Sequence, residues 1–417
     1  MPRPIDALYL AAATLGSPVW LPRMIRTGKI HTDWRARFGH GETLPRSGRP
    51  RVLLHAVSVG EVNATDLLVD ALLQNDPAIE PVVATTTDTG FARARSLFEG
   101  RCAVVRYPFD GSTAIRRFLD RIRPDAIGLV ELEIWPNLLA EARRRSIPVA
   151  VVNGRLSARS HRRYGRIRPV ARRLFGGLTI AAVQDETYAD RFRSMGLAPD
   201  RIRVTGSMKW DTARITDTVE GAAELGTAMG IDPTKPLVVA GSTAPEEHRL
   251  LHEAVPAGIQ LLCAPRKPEW FDAAARDLEG CVRRSRGERG DGGERFLLDT
   301  IGELRAAYGL AHLVVVGRTF VDLGGSDMIE PIALGKPVVV GPDLANFEAI
   351  ADELLAAEAM VQCDRAGLPE TIQSLLEDPG RAERLVDRGR AHIRARQGAT
   401  ITHAELLAHL AVGDPAR

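Results

Sequence analysis

Gly324–Phe347, GGSDMIEPIALGKPVVVGPDLANF, is the stretch on which the fold reading turns. The run before it, His312–Gly317 (HLVVVG), is short, continuous and apolar, the mark of a parallel strand buried on both faces. Glu330 opens the run EPIALG, in which Pro331 suits the first helical position and Gly335 the stop. A second apolar run, Pro337–Gly341 (PVVVG), follows. Gly324 and Gly325 predict a turn where backbone approaches a ligand and leaves N–H groups free. Strand, glycine turn, acid, helix, strand is either a plain βαβ unit or half of a nucleotide site built beyond the strand ends.

The same alternation extends in both directions. Strands are expected at Val52–Val57, Pro81–Thr86, Ala103–Val105, Ala126–Val130, Pro148–Val152 and Leu178–Val183. A second series is expected at Leu237–Gly241, Ile259–Ala264, Phe296–Leu298, Leu313–Gly317, Val338–Gly341 and Ala359–Gln362. Short apolar runs separated by helical stretches predict parallel sheets covered on both faces. The polar stretch Thr212–Pro236 reads as a linker. The expected α/β architecture is two Rossmann-like, doubly wound domains facing across a cleft, residues 31–212 and 237–395, with a linker at 213–236 and a C-terminal helix at 396–417. RRSRGERGDGGER (Arg283–Arg295) reads as a mobile loop.

At 417 residues the chain exceeds one ordinary core. A net charge of +2 gives no footing for wholesale nucleic-acid binding, but HRRYGRIRPVARR (His161–Arg173) concentrates positive charge. That run is either a solvated helix face or a surface for an anionic partner. The four cysteines contain no CxxC pair, which argues against a zinc site or a disulfide framework. Ala7–Pro22, ALYLAAATLGSPVWLP, is uncharged and flanked by Arg23, Arg26 and Lys29. It reads as a core helix, an interfacial anchor or a tilted span; the basic flank favours a membrane anchor over residues 1–30 with the body on the cytoplasmic side.

Acids stand where expected strands end. In HAVSVGEVNA (His55–Ala64), Glu61 falls in the first turn of a helix, where it either caps free N–H groups or acts as a general base. In VELEIWPN (Val130–Asn137), Glu131 and Glu133 would share a strand face by period two. Buried acids need partners, and Arg155, Arg159 and Lys209 are available. Lys209, in VTGSMKWD (Val204–Asp211), either holds a leaving phosphate or pairs with Asp211. In the second half, Gly241, Ser242 and Thr243 of VVAGSTAPEEH, Arg266 of CAPRKPEW, and Gly302 and Glu303 of LLDTIGEL supply the turn donors, arginine and acids of a nucleotide pocket. Neither GxxxxGK[ST] nor GxGxxG occurs.

HAVSVGE, TTTDTG, ELEIWPN, VNGRLSARS, TGSMKWD, AGSTAPEE, PRKPE, IGEL and GGSDMIEPIALGKPVVVGP occur in this order, and together they resemble the 3-deoxy-D-manno-octulosonic acid (Kdo) transferases of Gram-negative bacteria. The resemblance covers nearly the whole chain. It implies a GT-B glycosyltransferase at the cytoplasmic face of the inner membrane, with CMP-Kdo as donor, a phosphorylated lipid A precursor as acceptor, no metal or other cofactor, and no nucleic-acid partner. It implies that Glu61 is the catalytic base and that Glu131 and Lys209 stabilise the transition state. Donor contacts would fall on Pro265 and Arg266, on Ile301, Gly302 and Glu303, and on Gly324, Gly325, Asp327, Met328, Ile329 and Glu330. The family's glycine loop usually reads GGHNxLEP; here Ser326 and Asp327 replace histidine and asparagine, and Lys267 stands where the family has histidine. The competing expectations are a nucleotide-sugar 2-epimerase of the same fold and a nucleotide-binding protein without turnover.

Overall fold

The computed structural model describes residues 3–26, 32–75, 78–290 and 292–413. The chain divides into two compact units, one running to Asp211 and including the residues from Gln397 onward, the other Thr212–Arg396. Each holds one seven-stranded parallel sheet.

In the first unit the strands are β1 (Arg51–His55), β2 (Glu80–Thr85), β3 (Ala103–Arg106), β4 (Ala126–Val130), β5 (Val149–Gly154), β6 (Ile180–Val183) and β7 (Ile202–Val204). Their spatial order is β3-β2-β1-β4-β5-β6-β7. The chain winds outward from β1 and then returns to lay β4 on its other side, so the topological switch lies between β1 and β4, where ligands bind in open sheets of this kind. The inner strands β1, β4 and β5 are buried at every position because both of their faces are covered. Leu53, Val82, Ile127 and Val151 face one core with Phe118 and Phe175. Leu54, Val83, Val130 and Val152 face another, closed by Leu406 and Leu407 of the C-terminal helix Ala399–Val412.

The second unit repeats the plan with β8 (Leu237–Thr243), β9 (Gln260–Pro265), β10 (Val282–Arg283), β11 (Arg295–Leu297), β12 (Leu313–Val316), β13 (Val338–Val340) and β14 (Val361–Gln362), in the order β10-β11-β9-β8-β12-β13-β14. Its switch lies between β8 and β12. The stretch Thr212–Pro236 contains a helix, Ala222–Met229, that buries Leu225 and Met229 and packs on the helix Leu304–Leu310.

Several local expectations change. Arg283–Arg295, read as a loop, begins in β10 and a 3₁₀ turn, Arg284–Arg286. Asp299 orders them: it pairs with Arg283 Nε at 2.7 Å and accepts from the Ser285 N–H at 2.7 Å and hydroxyl at 2.6 Å. Composition did not reveal an acid outside the run. The N-terminal segment forms a helix, Pro4–Arg26, but no helix among the described residues is long and apolar enough to cross a membrane. Thr14, Gly16, Ser17, Pro18 and Pro22 dilute its apolar run; Lys29 lies outside the described residues. The glycine turn's N–H groups are also taken, as described below.

Candidate active site

The helix Val59–Ala64 starts immediately beyond β1, with Ser58 as its N-cap. Glu61 lies three residues on, and its N–H donates to Ser58 Oγ at 3.4 Å. Its Oε1 accepts from the Ser58 hydroxyl at 2.8 Å and its Oε2 from the Val57 N–H at 2.8 Å. Across the switch point, Glu131 directly follows β4. Its φ of 60° lies in the left-handed region, so period-two alternation does not extend to it and the expected shared strand face with Glu133 is replaced by a turn. Glu131 is held through its backbone, donating its N–H to Val152 O at 3.0 Å and accepting from the Arg155 N–H at 3.3 Å. Glu133 accepts from the Trp135 indole N–H at 3.0 Å.

The charge of Glu131 acts on Glu61, and the charges of both act on Glu133. Burial raises the Glu61 carboxyl above its ordinary range against the bonds from Val57 and Ser58, and the Glu131 charge adds to the rise. Burial, then the charges of Glu61 and Glu131, push Glu133 up to about 7. Arg155, the cation drawn toward Glu131, also donates to the Tyr188 hydroxyl at 3.3 Å. Arg159 is exposed, and half-buried Lys209 lies beyond β7 on the same strand-end edge. Its segment is docked by Met208 N–H on Asn153 Oδ1 at 3.1 Å. Asp211, the alternative partner weighed for Lys209, receives the Gly398 and Thr400 N–H groups, both at 2.6 Å.

In the second unit, Pro265 ends β9 and Arg266 N–H bonds Thr243 O at 3.0 Å, leaving the exposed guanidinium at the edge. Lys267 lies over the Trp270 ring at 4.8 Å. Ile301 is 72% exposed, Gly302 has φ 100°, and Glu303 stands at the N-cap position of the helix Leu304–Leu310 without a side-chain capping bond. Arg284 Nη2 holds Glu303 at 2.9 Å, and Arg305 Nη1 holds Glu330 at 2.8 Å. Gly324 and Gly325 adopt φ 76° and 78°, and a Cβ on Gly324 would stand 2.2 Å from Asn346 Nδ2. Gly324 N–H is bound to Asp343 Oδ2 at 2.5 Å and Gly325 N–H to Arg318 O at 2.8 Å. The glycines therefore permit the turn, but their N–H groups are not free. Exposed Asp327 accepts from Ile329 N–H at 2.9 Å at the start of the helix Ile329–Ala333. Met328 and Ile329 are buried, and Ser326 Oγ is buried with no hydrogen-bond partner among the described residues.

Glu247 was not singled out in the sequence. It is 1% exposed; Oε2 accepts from Ala244 N–H (2.8 Å) and Arg318 N–H (2.7 Å), and Oε1 from Thr319 and Phe320 N–H (both 3.1 Å). It ties the β8 turn to the β12 turn across the switch point. Its signal was its place two residues after Pro245, the N3 position of a helix beginning at that proline. The strand ends are also strained: Ser242 and Arg318 have φ 59° and 62°, and in the first unit Asn153 has 52°. Register shifts fall at Asn153 and Ser242, bulges of the kind that re-aim side chains at sites.

A family model described as 3-Deoxy-D-manno-octulosonic-acid transferase (kdotransferase) matches residues 32–212. A 3-deoxy-D-manno-octulosonic acid transferase of Bordetella pertussis is 35% identical over 420 residues, covering 94% of this chain and 96% of its own. One of Haemophilus influenzae is 30% identical over 383 residues, 89% of this chain and 88% of its own. Among solved structures, UDP-GlcNAc 2-epimerase from Neisseria meningitidis bound to UDP-GlcNAc superposes with a TM-score of 0.58 at 16% identity, over 85% of this chain and 99% of that one. That likeness bears on the fold alone, which is GT-B-like in its two parallel-sheet α/β domains.

Proposed function

This chain belongs to the 3-deoxy-D-manno-octulosonic acid transferase family, and from that premise we propose that it is an inverting glycosyltransferase moving Kdo from CMP-Kdo to a hydroxyl of a lipid A precursor. The observation that carries the mechanism is Glu61, a half-buried carboxylate fixed by Val57 and Ser58 beside Glu131 at the switch point of the first sheet. Glu61 accepts the acceptor hydroxyl's proton as the anomeric bond breaks. Burial and the Glu131 charge raise its proton affinity, which suits a base working near neutral pH. Glu131 answers the positive charge that develops on the sugar ring. In the first unit Lys209 stabilises the transition state, and in the second Arg266 meets the charge of the leaving CMP phosphate, so this reading needs neither a metal nor a general acid.

Donor recognition is assigned to Pro265, Arg266, Ile301–Glu303 and Gly324–Glu330, which border the strand ends at the switch point of the second sheet. Glu303 and Glu330 are oriented by Arg284 and Arg305 and keep acceptor capacity for ribose hydroxyls. The exposed Arg159, Arg162, Arg163, Arg166, Arg172 and Arg173, with Ile167 and Val170 each 49% exposed, support an anionic, lipid-bearing acceptor. The helix Pro4–Arg26 supports interfacial attachment to the inner membrane: it buries no residue, and Leu10, Leu15 and Val19 stand 70, 82 and 77% exposed. Purified protein incubated with CMP-Kdo and lipid A precursor, with products resolved by mass, tests the reading. The expected result is a gain of whole Kdo units that Glu61→Gln reduces by about 10²–10⁴-fold; full transfer by a folded Glu61→Gln protein would remove the base assignment.

A further inference from the structure

We propose that Thr87 is a positioning residue for Glu61: its hydroxyl locks Val57, and Val57 in turn holds one oxygen of the Glu61 carboxylate. The proposal rests on the reading of Glu61 as the base. Thr87 lies in the turn after β2, on the strand beside β1. Its Oγ1 donates to Val57 O at 2.8 Å, and its own N–H reaches the same carbonyl at 3.3 Å. On the other side of the Val57 Cα, the Val57 N–H donates to Glu61 Oε2 at 2.8 Å. Val57 is thus gripped at both of its polar groups, by Thr87 behind and by the carboxylate in front.

Thr87 has an ordinary duty as well. It is the N-cap of the helix Asp88–Phe98, and Oγ1 accepts from Gly90 N–H at 3.0 Å. Capping requires only an acceptor, and serine, aspartate and asparagine all provide one. The single hydroxyl proton goes instead to Val57, which capping does not require. Gly90 shows how closely the two turns meet: a Cβ there would lie 2.7 Å from Thr87 Oγ1 and 3.0 Å from Val57 O. Any side chain at that position would displace the contact. A short chain of bonds therefore runs from the second strand's turn, through Val57, to the base.

The bond matters because a carboxylate's direction and basicity both follow from the donors it meets. The groups facing Glu61 are the Ser58 hydroxyl and Val57 N–H from its own turn, and Glu131 and Glu133 from the turn after β4. On the neighbouring helix, Asp88 is paired with Arg106 and Arg93 is bonded to Asn63. The two donors thus oppose burial and the Glu131 charge. Releasing Val57 weakens one donor, favours the protonated form of Glu61, and lets the carboxylate turn from the acceptor hydroxyl.

Thr87→Val should lower kcat about ten-fold, the order expected for one displaced hydrogen bond, with KM for CMP-Kdo and for the lipid acceptor unchanged. The acid limb of its kcat–pH profile should move to higher pH, and Thr87→Ser should restore both. Thr87→Ala serves as a second variant should valine fail to pack. In a Glu61→Gln background, Thr87→Val should cause no further loss, since it acts through the missing carboxylate. If Glu61→Gln lowers transfer but Thr87→Val keeps a wild-type limb, or lowers the residual rate of Glu61→Gln as much as that of wild type, the positioning role is overturned while the base survives. Undiminished transfer by Glu61→Gln would remove the base itself, and the Thr87 proposal with it.

Discussion

Ser58 caps the helix, and the Glu61 carboxylate takes the Val57 N–H just ahead of it and the Ser58 hydroxyl, so binding turn donors and presenting a base do not compete in this residue. Each oxygen keeps a lone pair beyond the bond it accepts. Because burial and Glu131 raise its proton affinity, the acid limb of kcat is expected above the range of an ordinary carboxylate. Glu131→Gln removes the like charge that raises Glu61, which favours the ionised form, and should move that limb to lower pH even where kcat itself falls; kcat measured from pH 4.5 to 9 reads the direction. Glu247 is the corresponding residue of the second sheet, with structural consequences. Glu247→Gln turns an NH₂ toward N–H groups that now find an oxygen, leaving buried donors unpaired. It should cost about 3 kcal/mol in urea unfolding, and because Ser242 and Arg318 are held strained beside it, donor affinity should fall as well.

The C-terminal helix Ala399–Val412 joins the first unit through more than its apolar face. Asp211 accepts the Gly398 and Thr400 N–H groups at its start, and His403 Nε2 accepts the Asn153 N–H at 3.2 Å. Burial lowers the His403 pKa to about 4 from an ordinary 6.5. Between those values the unfolded chain carries a proton on this ring and the native one does not, so stability is present above pH 6.5 and is lost as the pH falls toward 4. The loss amounts to about 3 kcal/mol by pH 4. His403→Gln keeps an acceptor and cannot titrate; its stability should fall less than that of wild type between pH 7 and pH 4.5, by urea titration at each. An equal fall in both proteins would detach this helix from the pH response. At the other end of the chain, the helix Pro4–Arg26 is rooted by Asp6, which accepts from Ser112 N–H and Asn137 Nδ2, both at 2.9 Å, and by Tyr9 on Asp110 at 3.1 Å. Its first turns are tied to the first unit while its apolar length stays exposed.

For the molecule as a whole, that exposed length predicts binding to vesicles containing anionic lipid, and a paired Leu10→Glu and Leu15→Glu change should abolish co-flotation while leaving the melting temperature within a few degrees, since neither side chain is buried. Retained flotation would move attachment to the arginine-rich surface around Ile167 and Val170. Sequence alone determined the two parallel sheets, because a strand covered on both faces must be apolar at every position, as Val52–Leu54 and Leu313–Val316 are. It also determined that acids and glycines stand at strand ends, since those positions have no packing reason for them. The short strand Val282–Arg283 carries too few apolar residues for a pattern to register; only pairing with β11 defines it. Tertiary structure alone decided which turns meet. Thr87 and Val57, Glu247 and Arg318, and Asp299 and Ser285 are each far apart in the chain, and no local periodicity links them. It also reversed the reading of the glycine turn, whose N–H groups are taken by Asp343 and the Arg318 carbonyl. The physical reason is common to all of these: composition and spacing specify which surfaces must be buried, whereas the partner of a polar group is fixed only when separate strand ends are brought to one edge.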